Sequence, residues 1–241
     1  MKMAPVVREL TARGDQFEQV LVHTGQHYDH LMSQVFIDEL GIPPPDRLLD
    51  VGSGSHGQQT ARMLEQLEPV LLEESPDLVL VAGDVNSTLA AALAAAQTGV
   101  ALGHVEAGLR SFDRTMPEEL NRVVTDALAD LLFTHSPEAV ENLIREGRPE
   151  TGVHEVGNTM IDTLAAMRGR MEALDAPGRH DLERGSYVVV TRSRTLRASS
   201  RFCSLCTRAR ARRSPRSGSS LRICGSGCSS RSATWSSSAS S

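Results

Sequence analysis

Cysteine is absent from the first 190 residues of this 241-residue chain, and acidic residues are absent from the last 51. The lack of cysteine excludes a disulfide framework in the first part of the chain. No apolar run approaches the roughly 18 to 20 consecutive residues that a membrane-spanning helix needs, and no basic segment followed by an apolar one opens the chain. These absences predict a cytoplasmic protein with no membrane partner.

Charge divides the chain into two parts near Thr191. Residues 191–241 hold 11 of the 25 basic residues, none of the 30 acidic ones and all four cysteines. The first 190 residues therefore carry 14 basic and 30 acidic side chains, a net charge of -16. This negative charge argues against nonspecific binding of nucleic acid by the first part. The overall charge of -5 describes neither part.

Short apolar runs alternate with longer amphipathic stretches through the first part of the chain. This alternation predicts an α/β fold, a doubly wound parallel sheet with helices on both faces. The predicted strands are residues 17–22, 47–51, 77–82, 101–106, 131–134 and 153–156, and the predicted helices are residues 1–13, 29–40, 58–74, 86–97, 117–130, 137–146 and 158–174.

The sequence changes character after residue 174. Residues 175–185 form an acidic connector with Pro and Gly, and residues 186–191 resemble the first strand of a further α/β unit. Of the 51 residues from 191 onward, 28 are Arg or Ser, which leaves too little apolar surface to offset the entropy of ordering. We predict a Rossmann-like α/β domain over 1–174, a connector and strand over 175–191, and a disordered tail over 192–241.

Polar side chains follow two predicted strands at the edge of the sheet where ligands bind in such folds. Asp84 follows strand 77–82 in a tight turn, where it could equally support the cap of the next helix. His104 and Glu106 lie on one side of strand 101–106, among small residues that leave room for a ligand.

Glu118 opens the following helix, and Arg122 lies four residues further on. The spacing alone is equally consistent with an exposed ion pair between them. Asp84, Glu106 and Glu118 would together bring three carboxylates to one sheet edge, which suits general acid/base chemistry. Arg110 and Arg122 could receive phosphate there.

Two further patterns in the first part are weak. Residues 52–57 match the dinucleotide pattern GxGxxG, but they do not follow the first strand, and no carboxylate ends the next one. A loop beside the cleft is the better interpretation. His23, His27 and His30 invite a metal site, but no carboxylate spacing completes a zinc motif, so we expect no metal.

The tail offers a function of a different class. Cys203 and Cys206, followed by Cys224 and Cys228, have roughly the spacing of a zinc ribbon within an arginine-rich stretch. A zinc-bearing nucleic-acid module is therefore a remote alternative. The spacer between the cysteine pairs shows no strand or helix pattern, and aromatic residues for stacking are nearly absent.

Six motifs occur in chain order: KMAPVV at residues 2–7, HTGQHYD at 23–29, GDVNS at 83–87, HVEAGLRS at 104–111, MPEELNR at 116–122 and GNTMID at 157–162. Together they resemble the non-hydrolysing UDP-N-acetylglucosamine 2-epimerase family, over residues 1 to about 191. The resemblance implies the first domain of a GT-B-type two-domain fold. It also implies interconversion of UDP-N-acetylglucosamine and UDP-N-acetylmannosamine in cell-envelope polysaccharide synthesis, with no cofactor.

The resemblance assigns roles by motif position. It implies that Asp84, Glu106 and Glu118 are the acid/base candidates and that Lys2 and Arg122 stabilise developing charge. It implies that the substrate, a UDP-sugar, is also contacted by a further three side chains, and that intact family members are homodimers. The substrate-binding candidates are His27, His104 and Arg110.

The chain also departs from the family pattern at both ends. The strand and Gly-Thr-Arg-Pro-Glu turn that open family members have no counterpart before Lys2, and a missing strand would leave the sheet with an unpaired position. After Thr191 the second domain is replaced by sequence typical of a shifted reading frame. We therefore expect impaired activity, with a GT-B glycosyltransferase fragment or a noncatalytic remnant as alternatives.

Overall fold

The computed structural model describes residues 1–25, 37–49 and 51–183 in full, and the backbone of Tyr187–Arg192, Leu205–Arg210 and Arg222–Cys224. The chain forms two compact units, a first unit of Met1–Arg168 and a second unit of Gly169–Ser241. His27 and the greater part of the predicted helix 29–40 lie outside the described residues.

A four-stranded parallel sheet forms the centre of the first unit, and a separate parallel pair of short strands precedes it in sequence. The four strands lie side by side in chain order, so each connection crosses the sheet in the same direction. The pair is β1 (Val22–His23) with β2 (Arg47–Leu48), and the sheet is β3 (Leu78–Ala82), β4 (Ala101–Val105), β5 (Leu131–Thr134) and β6 (Val153–Glu155).

Helices connect and flank these strands. Their bounds are α1 Ala4–Ala12, α2 His56–Glu74, α3 Asn86–Thr98, α4 Pro117–Leu128 and α5 Pro137–Arg145, with a 3-10 turn at Glu150–Gly152. Helix α6 (Thr159–Ala173) begins in the first unit and ends in the second, which also contains α7 (Ala176–Arg179). Residues 37–40 are also helical.

Local sequence explains where the long helices begin and end. The Ser55 hydroxyl accepts from the N–H of Gln58, whose side chain accepts from the N–H of Ser55, and this capping box opens α2. Gly99 closes α3 in the left-handed region at φ +75°, which glycine adopts without strain.

The core lies between the sheet and its helices. Helix α3 is rich in alanine, and its small buried side chains let α2 pack closely along it. Larger side chains complete the core, and burying each stabilises the fold by about 1.5–3 kcal/mol. The core residues with no exposed surface are Met63, Ala90, Ala92, Ala94, Ala95, Leu102, Ala107, Leu132, Ala139 and Leu143.

Four predicted strands are confirmed as β3 to β6, within one residue at each end. The predicted strand 17–22 is wrong over most of its length, since only Val22 joins β1. Phe17 and Val20 are 47% and 42% exposed, so this apolar run does not enter the core. Apolar composition alone does not make a strand where no neighbouring strand pairs with it.

The second unit contains a three-stranded antiparallel sheet of β7 (Tyr187–Arg192), β8 (Leu205–Arg210) and β9 (Arg222–Cys224). Strand β7 occupies the predicted strand position. The sequence predicts no strand at β8 or β9, which carry no apolar periodicity. Strand pairing through backbone hydrogen bonds does not require apolar periodicity. The valine-rich β7 presents a row of N–H and C=O groups with which another segment can pair.

None of the described helices combines the length and the apolar character needed to cross a bilayer.

Candidate active site

The start of the chain contacts the tight turn after β3, where Lys2 lies against Gly83. Gly83 adopts φ +73°, and its N–H donates to the carbonyl of Val105 at 3.1 Å. A Cβ atom at this position would lie 2.7 Å from Nζ of Lys2, closer than side-chain atoms approach one another. Glycine is therefore required here both for the backbone conformation and for the place that the Lys2 ammonium occupies.

Lys2 forms an ion pair with Glu106, just beyond the end of β4. Glu106 lies at φ +72°, a left-handed conformation that is uncommon for a residue with a side chain. The turn is held because the N–H groups of Glu106 and Ala107 both donate to the carbonyl of Phe133, at 3.0 and 3.1 Å. Backbone strain of this kind persists where the surroundings fix it, and it concentrates at functional sites.

Arg122 joins helix α4 to the turn after β3. Its Nε donates to Oδ2 of Asp84 at 3.0 Å, and its Nη1 donates to Oε2 of Glu119 at 2.5 Å. The Asn121 side chain adds a hydrogen bond to the carbonyl of Asp84 at 2.8 Å. Asp84 thus lies one strand away from Glu106, and each carboxylate is held by its own cation.

Glu119 is a buried carboxylate that the sequence analysis did not select. It accepts hydrogen bonds at 3.0 Å from the N–H of Ser111, the hydroxyl of Ser111 and the N–H of Phe112. Burial alone would raise the pKa of Glu119, but these hydrogen bonds and the charge of Arg122 hold it below its ordinary value. Glu119 therefore closes the loop between β4 and α4 and orients Arg122.

Glu118 is half-buried at the start of α4, and its side chain forms no hydrogen bond or ion pair with another described residue. The alternative of an exposed Glu118–Arg122 pair is not realised, because Arg122 turns to Asp84 and Glu119 instead. Of the three candidate carboxylates, two are paired with cations at the sheet edge, and Glu118 follows them on the next element.

The predicted substrate contact of His104 requires correction. The side chain has no exposed surface, and both ring nitrogens are occupied by the protein. Nδ1 lies 2.6 Å from Oδ1 of Asp126, and Nε2 lies 2.9 Å from the carbonyl of Gly83. Alternation along β4 places His104 facing the core behind the turn.

The predicted phosphate contact of Arg110 requires the same correction. Its side chain is 1% exposed and donates to Oδ2 of Asp126 at 2.7 Å and to Glu146 at 2.7 and 2.5 Å. Burial would lower the pKa of Arg110, but the hydrogen bonds and charges of Glu146 and Asp126 raise it above its ordinary value. The guanidinium is fully engaged inside the protein and presents no face to a ligand.

Helix α4 carries a polar face toward the protein and an apolar face away from it. Its buried residues are all polar, namely Glu119, Asn121, Thr125 and Asp126. Its apolar residues Leu120, Val123 and Val124 are 42%, 40% and 37% exposed. The buried polar residues recur at helical spacing, but Glu118 and Arg122 have such a spacing too, so the sequence pattern does not single out Glu119 and Asp126.

The glycine-rich loop lies beside this cluster. His56, the first residue of α2, contacts the side chain of Asn86 through Nδ1, and Asn86 in turn meets Asn121 of α4. These three side chains line a shallow concavity of about 450 Å³. The start of α2 therefore borders the candidate site, as expected for a loop beside the cleft.

The histidines of the first motif are only partly described. His23 accepts a hydrogen bond through Nδ1 from the N–H of Gly25 at 3.2 Å, which stabilises a turn. The role predicted for His27 falls outside the described residues. Within the ranges that the structure describes, no three His, Cys, Asp or Glu side chains converge as a metal site.

The parallel sheet and its flanking helices form a Rossmann-like α/β domain. Ion pairs between acidic and basic side chains lie at the carboxyl edge of this sheet. The chain belongs to the UDP-N-acetylglucosamine 2-epimerase family, whose family model matches residues 8–211. The resemblance identified from the six motifs is thus confirmed.

Relatives and solved structures agree on this family. A UDP-N-acetylglucosamine 2-epimerase from Methanococcus maripaludis is 52% identical over 162 residues, which cover 67% of this chain and 43% of the relative. A UDP-2,3-diacetamido-2,3-dideoxy-D-glucuronate 2-epimerase from Pseudomonas aeruginosa is 48% identical, with 66% of this chain and 46% of the relative covered. The chain therefore spans less than half the length of these relatives.

Among solved structures, UDP-GlcNAc 2-epimerase from Methanocaldococcus jannaschii, in complex with UDP-GlcNAc and UDP, matches with a TM-score of 0.71 and 43% identity. It is matched over 74% of this chain and 49% of its own. The enzyme from Neisseria meningitidis, bound to UDP-GlcNAc, matches with a TM-score of 0.68 and 32% identity over 75% and 48%. A likeness to half of each neighbour is that of the first domain of a GT-B-type fold.

Proposed function

We propose that this chain carries acid/base residues of a 2-epimerase that interconverts UDP-N-acetylglucosamine and UDP-N-acetylmannosamine. The observation that supports it most is the pairing of Lys2 with Glu106 and of Arg122 with Asp84 at neighbouring strand ends. Each pair places a carboxylate that can take a proton beside a cation that can stabilise negative charge. The names of the relatives suggest the substrate class on which these acidic and basic side chains act, a UDP-sugar.

The chemistry begins at C2 of the sugar, whose hydrogen is weakly acidic. A carboxylate, Glu106 or Asp84, accepts the C2 proton while the C1–O bond breaks and its electron pair leaves with UDP. The product of this elimination is a 2-acetamidoglucal. Return of a proton to C2 on the opposite face and re-addition of UDP at C1 give the epimer, so no net redox change occurs and no cofactor is required.

Arg122 and Lys2 stabilise the negative charge that develops on UDP during this step. UDP leaves as an anion, and a positioned guanidinium or ammonium stabilises the departing charge more in the transition state than in the ground state. The Arg122 side chain is held from two sides by Asp84 and Glu119, so little reorganisation is needed when the leaving group departs. Glu118, on the same helix, completes the acid/base candidates.

The relatives differ in the sugar that their names give. UDP-GlcNAc and a UDP-diacetamido-glucuronate share a nucleoside diphosphate at C1 and an acetamido group at C2. We propose UDP-GlcNAc as the substrate because most of the similar proteins bear its name. The chain spans less than half the length of these relatives, so the activity of the whole enzyme is a proposal for it.

Incubation of the full chain with UDP-GlcNAc in D₂O, followed by NMR, tests the proposal. We expect UDP-ManNAc to form and solvent deuterium to enter C2, and the M. maripaludis relative serves as the positive control. Transfer of the sugar to an acceptor without exchange at C2 would instead identify a glycosyltransferase. Neither reaction under conditions where the relative turns over would identify a noncatalytic remnant.

The proposal includes a cytoplasmic location, a UDP-sugar partner and a homodimer in intact family members, and no nucleic-acid or membrane partner. The exposed apolar face of α4, with Leu120, Val123 and Val124, supports association through this part of the surface. Sedimentation of the chain at several concentrations, with Val123→Glu as the variant, tests it. We expect a concentration-dependent dimer of this chain that the variant weakens, and a monomer at all concentrations contradicts association through α4.

A further inference from the structure

His104 lies between two hydrogen-bond acceptors in the interior of the first unit. Its Nδ1 faces Oδ1 of Asp126 at 2.6 Å, and its Nε2 faces the carbonyl oxygen of Gly83 at 2.9 Å. The His104 and Asp126 side chains are 0% and 1% exposed, so water does not compete for either position. The hydrogen-bonding groups of the protein alone therefore determine which nitrogens of His104 carry a proton.

The carbonyl of Gly83 can only accept a hydrogen bond, so Nε2 of His104 must carry a proton. Oδ2 of Asp126 accepts from the N–H of Gly108 at 3.1 Å and from Nη1 of Arg110 at 2.7 Å. Two donors on one oxygen favour the ionised carboxylate. An ionised carboxylate can only accept, so Nδ1 of His104 must carry a second proton.

We propose that His104 is a buried imidazolium and that Asp126 is a positioning residue, which holds this cation against the Gly83 carbonyl and so fixes the Gly83–Asp84 turn. The inference rests on the proposed function, because that turn carries the candidate base Asp84. Neither His104 nor Asp126 touches the substrate; they act through the backbone of the turn.

The charges of the surrounding groups balance under this assignment. His104 and Arg110 contribute two positive charges, and Asp126 and Glu146 contribute two negative ones, all joined by hydrogen bonds or ion pairs. Buried charges persist in proteins when they are paired and hydrogen-bonded. With Asp126 ionised by its two donors, a neutral His104 would leave these four groups with one net negative charge, although Glu146 is 39% exposed and reaches solvent.

The same cluster sets the spacing of the candidate catalytic groups. Asp126 binds the N–H of Gly108, two residues after Glu106, and reaches the turn before Asp84 through His104. It lies on α4, one helical turn after Arg122. Helix α4 therefore holds both turns that carry a candidate carboxylate, through Asp126, and also contacts Asp84 directly through Arg122. Displacements of about 1 Å in such a site cost roughly 100-fold in rate.

The assignment is tested by ¹⁵N–¹H NMR of the imidazole groups in the full chain, with the His104 signals identified by their loss in His104→Gln. We expect two protected ring N–H signals from His104 in the wild type. A single ring N–H signal from His104 overturns the proposal, and this measurement needs no variant of Asp126.

Asp126→Asn then tests the positioning role. The asparagine oxygen should accept from Gly108 and Arg110, so its amide faces Nδ1 and donates, which leaves His104 neutral. We expect loss of the Nδ1–H signal and shifted amide signals of Gly83 and Asp84. The matched control is Asp130→Asn: Asp130 also hydrogen-bonds β4, through the N–H of Leu102 at 2.9 Å, but it does not contact His104. Unchanged Gly83 and Asp84 amides in Asp126→Asn would contradict the positioning role.

Kinetics separate this proposal from the proposed function. In a chain that exchanges the C2 hydrogen, Asp126→Asn should lower kcat roughly 10-fold or more with little change in KM, because the reacting groups are misplaced while the substrate contacts remain. Equal kcat values for Asp126→Asn and Asp130→Asn would overturn the positioning role. No exchange in the wild type would overturn the proposed function, while the ring N–H signals still decide the state of His104.

Discussion

The guanidinium of Arg122 donates to Oδ2 of Asp84 at 3.0 Å and thereby ties helix α4 to the turn after β3. The Arg122 side chain is 12% exposed and is also bound by Glu119, so its position is fixed before any ligand arrives. A cation held in this way can stabilise a leaving anion without paying for reorganisation.

Arg122→Lys should therefore inactivate the site although it keeps the charge. A lysine ammonium cannot reach Asp84 and Glu119 with the fork geometry of a guanidinium. We expect a loss in the rate of C2 exchange on the order of 100-fold to 1,000-fold, as for removal of one preorganised donor. Arg145→Lys on α5 is the matched control, because Arg145 donates to the Asn142 side chain and contacts neither Asp84 nor Glu119. Equal rates for both variants would show that the fork of Arg122 has no role.

Gly83→Ala should separate backbone strain from the placement of Lys2. The added Cβ would lie 2.7 Å from Nζ of Lys2, and the residue would keep φ +73°. Gly99→Ala is an unusually close control, because Gly99 has φ +75° and no atom within 4 Å of the added Cβ. Both variants should lose about 1–2 kcal/mol in the free energy of unfolding from the left-handed conformation.

Only Gly83→Ala should also displace the Lys2 ammonium from Glu106. The expected result is a changed Nζ signal of Lys2 in NMR together with a lower exchange rate. A Gly83→Ala protein whose Lys2 signal matches that of Gly99→Ala would mean that Lys2 does not lie over the turn in solution.

Glu119 should make the stability of the domain depend on acidity. Its pKa is lowered in the folded state, so its contribution to the free energy of unfolding is present above the unfolded pKa of about 4.3. That contribution is lost as the pH falls through the folded-state pKa. Glu119→Gln should lose about 1–3 kcal/mol at pH 7, because buried donors lose a charged acceptor, and less at pH 3.

Urea unfolding followed by circular dichroism at pH 7 and pH 3 measures both values. Glu141→Gln, an exposed position on α5, is the control. The interpretation of Glu119 is wrong when its substitution costs the same free energy at the two pH values, since a purely steric effect does not change with protonation.

The sequence alone predicts the sheet and the two carboxylates at its edge, but not the packing behind them. Strands β3 to β6 follow from apolar runs that have neighbours with which to pair. Asp84 and Glu106 follow from the rule that ligands bind beyond the carboxyl ends of parallel strands. His104 and Arg110 occur in the same motif, and no local pattern states that their side chains turn inward to Asp126.

Helix α4 shows why the remainder of the site was not predicted. Hydrophobic periodicity normally identifies the buried face of a helix, but here Leu120, Val123 and Val124 face outward, and polar residues face the protein. Adjacent residues on a helix are rotated by about 100°. The difference between Glu118 and Glu119 therefore decides which carboxylate is buried, and only the tertiary structure resolves it.

We propose that Glu106 takes part in proton transfer at C2 of the sugar, and deuterium incorporation by the Glu106→Gln variant measures this role. The glutamine keeps the size of the side chain and removes its basicity, and Glu141→Gln controls for the loss of one negative charge. We expect Glu106→Gln to abolish exchange of the C2 hydrogen of UDP-GlcNAc while circular dichroism shows an unchanged fold. We expect Glu141→Gln to exchange this hydrogen as the wild type does. An exchange rate in Glu106→Gln equal to that of the wild type would contradict it.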